Sequence, residues 1–317
     1  MYKLSDLTCD SPTPFISLLT TKWDKIHQET DIFRYKIDKF NEKVVDGKYL
    51  LQLNPDRRSK RRAPEEMNDI CQPFDKNKFN FNKVSQEEIL FSIEGKDAEI
   101  HSVLVNVSPI SRYHSLLCPS VNKCLPQIVT LESLELTVEI MFLTQDCNLR
   151  IGFNSMCGYA SVNHLHYHLF VEENTLYVEN VQWNHIKGEI YCLDENYRVP
   201  ALCCEIQKQS SVKTLKEMFN ILEFFLEKSI AHNILLTKRP RFGGREDVVN
   251  MIVWPRRNTT GAKQLAAFNV AVLELSGWFP IYDADDFKNL QANDLEKELS
   301  KWNIDDFNKL CKEIKCL

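Results

Sequence analysis

No stretch of the 317 residues approaches the ~18–20 consecutive apolar residues of a membrane-spanning helix, so no membrane partner is expected. Met1 to Trp23 has no basic segment followed by an apolar one, and no secretory leader is read there. The eleven cysteines are odd in number and contain no C-x-x-C pair. They read as reduced thiols in a cytoplasmic setting, without a structural Cys-zinc site. An excess of positive charge is also missing. Lys plus Arg number 39 against 44 Asp plus Glu, a net charge of −5, which argues against a nucleic-acid surface but not against a small nucleotide. There is no G-x-x-x-x-G-K-[ST], no G-x-G-x-x-G and no G-x-S-x-G, so those glycine-rich phosphate loops and that serine elbow have no support.

What is present is the composition of an ordinary globular chain, 44% hydrophobic and 26% charged, long enough for one large or two medium domains. Residues 1–49 read as a polar lead, with an amphipathic helix over Asp24–Phe40 carrying Ile26, Ile32, Phe33, Ile37 and Phe40. A basic loop spans Asn54–Pro64, and Cys71–Lys83 reads as irregular. Glu88–Ile93 and Ile100–Val107 form a hairpin by pattern, turning at Gly95-Lys96-Asp97. Leu134, Val138, Met141 and Phe142 predict a helix over Leu131–Gln145; strands follow at Leu149–Phe153 and Ala160–Val171 around a turn at Asn154–Gly158.

The second half has the same α/β texture. Ser211 is expected to cap a helix with Leu215, Phe219, Leu222, Leu226 and Ile230 on one stripe. Strands are expected at Ile234–Thr237 and Val248–Trp254, a buried helix at Leu265–Leu275, and one or two solvated helices after Asp283. Phe268, Val272, Leu275, Cys203 and Cys204 read as core.

The chemistry concentrates in GFNSMCGYASVNHLHYHLFV, Gly152 to Val171. His164, His166 and His168 stand at i, i+2 and i+4, which on a strand is one face, with Leu165, Tyr167 and Leu169 on the other. Three readings compete: histidines on a solvated face, a metal site, and nucleophilic catalysis at phosphorus by the middle imidazole. A neutral imidazole, with a pKa of about 6.5, is available as a nucleophile near neutrality.

Asn154 and Ser161 upstream of this strand, the order of strands and helix, and Val105-Asn106-Val107-Ser108-Pro109 followed by His114 and Pro119 resemble the histidine-triad superfamily. The ordered set QLNPDRRSKRR, CQPFDKNKFNFNK, GFNS, ASVNHLHYH, AHNILLTKR, VWPRR and AFNVAVLELSG is similar to the GDP-D-glucose phosphorylase family, relatives of plant GDP-L-galactose phosphorylase, from about Leu50 to Pro280. The resemblance implies an α/β (α+β) fold: an antiparallel sheet with packed helices, in two tandem triad-like units. A catalytic half at 50–200 is followed by a degenerate half with a helical tail at 201–317. It implies phosphorolysis of GDP-glucose to GDP and glucose 1-phosphate through a covalent GMP–histidine. The alternative within the superfamily is a hydrolase releasing GMP.

By the same resemblance His166 is the nucleophile, with His164 and His168 flanking it. His168 would bond a phosphoryl oxygen and His164 would lock its neighbours' rings. Ser161 and the amides of the Asn154–Gly158 turn would bind the α-phosphate. The chain departs from the family's usual pattern at Cys157, Tyr159, Tyr167 and Leu169. No cofactor and no metal are expected.

Most secondary candidates carry more than one reading. Arg57, Arg58, Lys60, Arg61 and Arg62 read as diphosphate clamp, solvated loop or localisation patch. Asn106 reads as ribose contact or strand cap. Asn80, Phe81, Asn82 and Lys83 read as base pocket, with Phe81 stacking, or as loop core. Asn154 and Ser155 read as functional. Arg256 and Arg257 read as solvated charge rather than as anion contacts.

Overall fold

The computed structural model describes residues 1–37, 40–61, 66–239, 248–260 and 268–317. Arg62 and the first residues of the helix expected at 265–275 lie outside the described residues. The chain begins with α1 (Phe15–Glu29), then β1 (Asn41–Val45), β2 (Tyr49–Leu53) and the one-turn α2 (Asp56–Ser59). Next come β3 (Ile89–Glu94), β4 (Ile100–Val105), β5 (Ser115–Cys118), α3 (Leu131–Leu143), β6 (Leu149–Asn154) and β7 (Tyr167–Val171). The same succession of three strands, a helix and two strands then recurs as β8 (Trp183–Lys187), β9 (Ile190–Leu193), β10 (Leu202–Gln207), α4 (Ser211–Glu227), β11 (Ala231–Thr237) and β12 (Val248–Arg256). The chain ends with α5 (Val272–Ser276), β13 (Trp278–Ile281), α6 (Ala284–Asn289), α7 (Ala292–Ser300) and α8 (Phe307–Cys316).

Both repeats share one ten-stranded sheet, in the order β3-β4-β5-β7-β6-β11-β12-β10-β9-β8. Read outward from the β6–β11 seam, the two halves have the same order. The expected mixed fold, an antiparallel sheet with packed helices in two units, is what forms. β8 and β9, which the boundary near residue 200 assigns to the first half, pair with each other and with β10 in the second repeat.

Gly152 faces Leu235 midway along the seam. His168 stands opposite Gly152, and Ile252 stands opposite Leu235. The second repeat therefore places Ile252 and Trp254 where the first carries His168 and Phe170. Directly opposed residues project to the same face. On that face Leu235, Ile252 and Trp254 pack against Tyr49, Leu51, Trp278, Phe279 and Ile281 of a three-stranded sheet, β1-β2-β13. On the other face Leu134, Val138 and Met141 of α3 and Leu215, Met218, Ile221, Leu222 and Phe225 of α4 cover Ile151, Phe153, Ile234 and Leu236. Each such side chain contributes roughly 1.5–3 kcal/mol when fully removed from water. Buried on both faces, β11 and β12 carry unbroken apolar runs, Ile234–Leu236 and Met251–Trp254, rather than alternations.

Several expectations need correction. The first helix is Phe15–Glu29, not 24–40. Its seam is Phe15, Leu18, Leu19 and Trp23, and the chain turns extended at Thr30, so Phe33 and Ile37 bury from outside the helix. Ser211 lies inside its helix and its hydroxyl donates to the Lys208 carbonyl, so it does not cap. The stripe of α4 runs through Met218, Ile221 and Phe225 rather than Phe219 and Leu226. The described helix in 265–275 is only Val272–Ser276. The tail forms three helices, anchored by Leu295, Leu299, Leu310 and Ile314 in the core. No described helix is long and apolar enough to cross a membrane.

Regular pairing of the histidine strand starts only at Tyr167, so the expected strand from Ala160 is halved. The cause is a side chain from elsewhere. Gln127 donates from Nε2 to the carbonyls of Asn154 and His166, at 2.9 and 3.0 Å, and accepts the His166 N–H at 2.8 Å. Its amide takes the place of ladder bonds, and the two strands splay open beyond it.

Candidate active site

The three histidines consequently do different things. His168, on β7, stacks on Phe170 at 5.7 Å. His166 sits just before the strand and is 3% exposed. His164 is fully buried, its ring 5.6 Å from Phe81 in a stacked arrangement and edge-on to Phe74. The solvated-face reading is thereby overturned. Among the described residues no group of three His, Cys, Asp or Glu is arranged to hold a metal ion.

Hydrogen bonds assign the tautomers. The Nδ1 of His166 lies 2.8 Å from the His164 carbonyl oxygen, which can only accept. That nitrogen therefore carries the proton and Nε2 keeps the lone pair. A fourth histidine, His114, fixes His168. The Ile110 N–H donates to His114 Nδ1 at 2.9 Å, so a neutral His114 carries its proton on Nε2. Burial first, then the neighbouring His168, Arg57 and His166, holds the His114 pKa well below the usual value and keeps the ring neutral. Its Nε2 lies 3.0 Å from His168 Nδ1 and donates to it. The proton of a neutral His168 is then on Nε2. A nitrogen bearing a lone pair and an N–H donor are thus held on adjacent rings, whose centroids lie 5.3 Å apart.

Both rings line one open cleft of about 1020 Å³, counting its solvent-filled mouth. Arg57, Arg61, Phe81, Asn106, Asn154, Ser161, Asn269, Glu274 and Tyr282 also line it. His164 does not. It holds the orientation of the His166 ring through its backbone carbonyl rather than through its own imidazole.

Two family models cover nearly the whole chain: residues 14–170 match the one described as GDPGP1-like, N-terminal domain, and residues 173–316 the one described as GDPGP1-like, C-terminal domain. The GDP-D-glucose phosphorylase 1 of Danio rerio is 31% identical over 283 residues, covering 87% of this chain and 82% of that protein. This chain belongs to the GDP-D-glucose phosphorylase family. The Homo sapiens relative of the same name is 30% identical over 298 residues, 88% of this chain and 76% of its own length. GDP-L-galactose phosphorylase 2 of Arabidopsis thaliana is 37% identical over 183 residues, 51% of this chain and 42% of that protein. The fold is shared with yeast Ap4A phosphorylase Apa2 in complex with AMP, with a TM-score of 0.63 at 17% identity over 90% of this chain and 96% of the other.

In this member of the GDP-D-glucose phosphorylase family the basic run divides. Arg57 and Arg61, four residues apart, reach the cleft. Arg57 Nη1 donates to the Ser108 carbonyl, and the Arg61 guanidinium lies 5.6 Å from the centre of the Tyr282 ring. Arg58 instead pairs with Asp283 at 3.3 Å in an exposed position, and Lys60 pairs with Asp56. Of the four residues proposed as base pocket, only Phe81 lines the cleft. Asn80 caps a turn by accepting the Asn82 N–H, Asn82 donates to the Val121 carbonyl, and Lys83 to those of Asn77 and Lys78. Asn106 accepts the Ser108 N–H and sits 3.4 Å from His114 Nε2.

The turn at 154–158 is not an open anion cradle. The Ser155 N–H donates to the His232 carbonyl and its Oγ accepts the His232 N–H; the Gly158 N–H donates to the Ser155 carbonyl. Ser155 thus ties the turn to β11 and does not line the cleft. A Cβ on Gly158 would stand 2.6 Å from Ser155 Oγ and 2.9 Å from the His232 oxygen, so only glycine fits. Cys157 and Tyr159 both hold positive φ, 55° and 75°, where a side chain costs on the order of 1–2 kcal/mol.

Two positioning residues were missed and a third was misread. Gln127 is one of those missed. The others come from the second repeat. Asn233 donates from Nδ2 to Asn154 Oδ1 at 2.6 Å and to the Gly158 carbonyl at 2.7 Å. Asn154 Oδ1 also accepts the Val272 N–H at 3.0 Å, so the group Asn154 can offer a ligand is its Nδ2 amide. Arg256 donates to Asn233 Oδ1 and the Val270 carbonyl, beneath the rings of Tyr159 and Trp302. It is 1% exposed, and burial lowers its pKa to about 10; the solvated-charge reading fails for it and holds for Arg257, which pairs with Asp305 at the surface. The signal lay in the strand register, since Asn233 stands directly opposite Asn154.

Burial also lowers the pKa of His164 and of His232 to about 4, each opposed by one backbone hydrogen bond. In the unfolded chain both titrate near 6.5. Their stabilisation is complete above about pH 6.5 and is lost as pH falls toward 4, because only the unfolded chain takes up those protons. The two histidines should leave melting temperature flat between pH 7 and about 8 and lower it between 6.5 and 4, each adding up to about 1.4 kcal/mol per pH unit. A His232→Phe variant should show a shallower fall in that window; an unchanged slope would sink this assignment.

Proposed function

We propose that this chain is a nucleotidyltransferase that phosphorolyses GDP-D-glucose. The observation that carries the reading is the pair of fixed tautomers, His166 with a lone pair on Nε2 and His168 with a proton on Nε2, in one cleft with Arg57 and Arg61. In the first step His166 Nε2 attacks the α-phosphorus in line. The bond to the bridging oxygen breaks and glucose 1-phosphate leaves with the electron pair. In the second, an oxygen of inorganic phosphate attacks the same phosphorus, the N–P bond breaks, and GDP leaves.

Neither leaving group needs a strong general acid, so positioning and charge suffice. The His168 Nε2–H and the Asn154 amide donate to phosphoryl oxygens, and Arg57 and Arg61 offset the diphosphate charge. Asn106 is proposed for the ribose and Ser161 for the α-phosphate. All eleven cysteines are free, which supports a cytoplasmic setting.

The test is incubation with GDP-glucose, with and without phosphate. GDP and glucose 1-phosphate should accumulate in equal amounts only when phosphate is present. Without it, glucose 1-phosphate should stop at one equivalent per protein. GMP released at the same rate in both arms would make the chain a hydrolase instead.

A further inference from the structure

A narrow slot of about 270 Å³, counting open solvent, adjoins the cleft and shares Phe81, Asn106, Val107 and Leu116 with it. It follows one row of the sheet. His168 stands opposite Leu116, Leu116 opposite Leu104, and Leu104 opposite Ile89, so these side chains share a face. Three strand spacings separate the ends of that row, about 14 Å, a span that a ribose and a purine fill beyond a phosphate at His166. Phe79 and Phe81 meet edge to face in its wall, 5.8 Å apart. The wall is apolar except for Asn106 beside the cleft and one carboxylate, Glu88, just before Ile89.

Glu88 is half-buried and held in place. Its Oε1 accepts the Ser85 N–H at 3.0 Å, closing a capping box at the short turn Gln86–Glu88. That bond occupies one lone pair of a group that accepts on both oxygens. Guanine carries two adjacent donors on one edge, N1–H and the N2 amino group, which match a carboxylate. Adenine has a lone pair at N1, which a carboxylate repels.

We infer that Glu88 is the guanine-reading residue, accepting from N1–H and the N2 amino group of a base held in the Phe79–Phe81 slot. This rests on the guanylyl-transfer reading for the placement of the phosphate. The E88Q variant keeps an oxygen for the Ser85 N–H but sets an amide donor against the base.

The experiment measures binding of GDP, IDP and ADP by calorimetry, and turnover of the three corresponding glucose esters at saturating phosphate, for wild type, E88Q and E88A. IDP differs from GDP only by lacking the N2 amino group. Wild type should prefer GDP to IDP by at least about tenfold, and GDP to ADP by at least about a hundredfold. In both variants the GDP-to-IDP ratio should approach one. Equal losses on all three nucleotides, or no loss, would overturn the inference and leave Glu88 as a cap alone. A Glu88-dependent preference in binding without phosphorolysis would uphold it and overturn the phosphorylase reading instead.

Discussion

Replacing His166 with asparagine should lower GDP-glucose phosphorolysis by roughly 10⁴- to 10⁶-fold, the scale of removing the nucleophile from an enzyme that works through a covalent intermediate. Asparagine is the informative choice because its amide can keep the hydrogen bond that His166 Nδ1 makes to the His164 carbonyl. The local chain path, pinned by Gln127 on both sides of residue 166, has no reason to move. What disappears is the lone pair on Nε2. The wild-type protein incubated with GDP-glucose in the absence of phosphate should gain the mass of one GMP, as an acid-labile adduct on a peptide containing His166. The variant should gain none, with an unchanged melting temperature. Retained turnover, or an adduct elsewhere, would sink the mechanism.

The second large effect concerns stability. Arg150 and Glu179 are both fully buried and pair through two bonds of 2.8 Å, Nε to Oε1 and Nη2 to Oε2. Both side chains make further bonds. Arg150 donates to the carbonyls of Glu172 and Asn174, and Glu179 accepts from Thr237 Oγ1 and the Leu176 N–H. The cluster joins β6, the segment between the repeats, and β11. Glu179→Ala leaves a guanidinium buried without its counter-charge and should cost about 3–5 kcal/mol. That is a large part of the roughly 5–15 kcal/mol that holds a domain folded. Chemical denaturation should show a lower midpoint at an unchanged slope. Replacing Arg150 by Met together with Glu179 by Leu should cost less than the single change, since the uncompensated charge is gone. A loss of stability below about 1 kcal/mol for Glu179→Ala, from the midpoint shift times the slope, would refute the role.

The parts of the molecule legible in the sequence were those written locally. The Leu131–Leu143 helix follows from a 3.6-residue periodicity, and the β3–β4 hairpin from two short β-branched runs flanking a Gly-Lys-Asp turn. The triad was legible for the same reason. Its division of labour was not, because it is imposed from outside the motif. Gln127 ends the ladder before His166, Ile110 sets the proton on His114, and Phe81 captures His164. The basic run shows the limit at finer scale. Five charges in six residues look alike, but the turn of α2 brings Arg57 and Arg61 to the cleft and takes Arg58 away from it. Asn233 was invisible as a site residue, and Arg256 was misread as solvated, because only the pairing of one repeat with the other brings them under Asn154.

That pairing gives the second repeat's missing imidazole a structural consequence for the first repeat's cleft. With Ile252 and Trp254 in the equivalent positions, half of the sheet face is a dry platform. β2 and β13 lie parallel on it, and the chain leaves them just before Arg57 and Tyr282 respectively. A histidine on that half would need water or a polar partner where these strands now sit. The silent copy serves as the foundation of a bracket, and the bracket extends a cation and an aromatic ring to the cleft that holds His166 and His168.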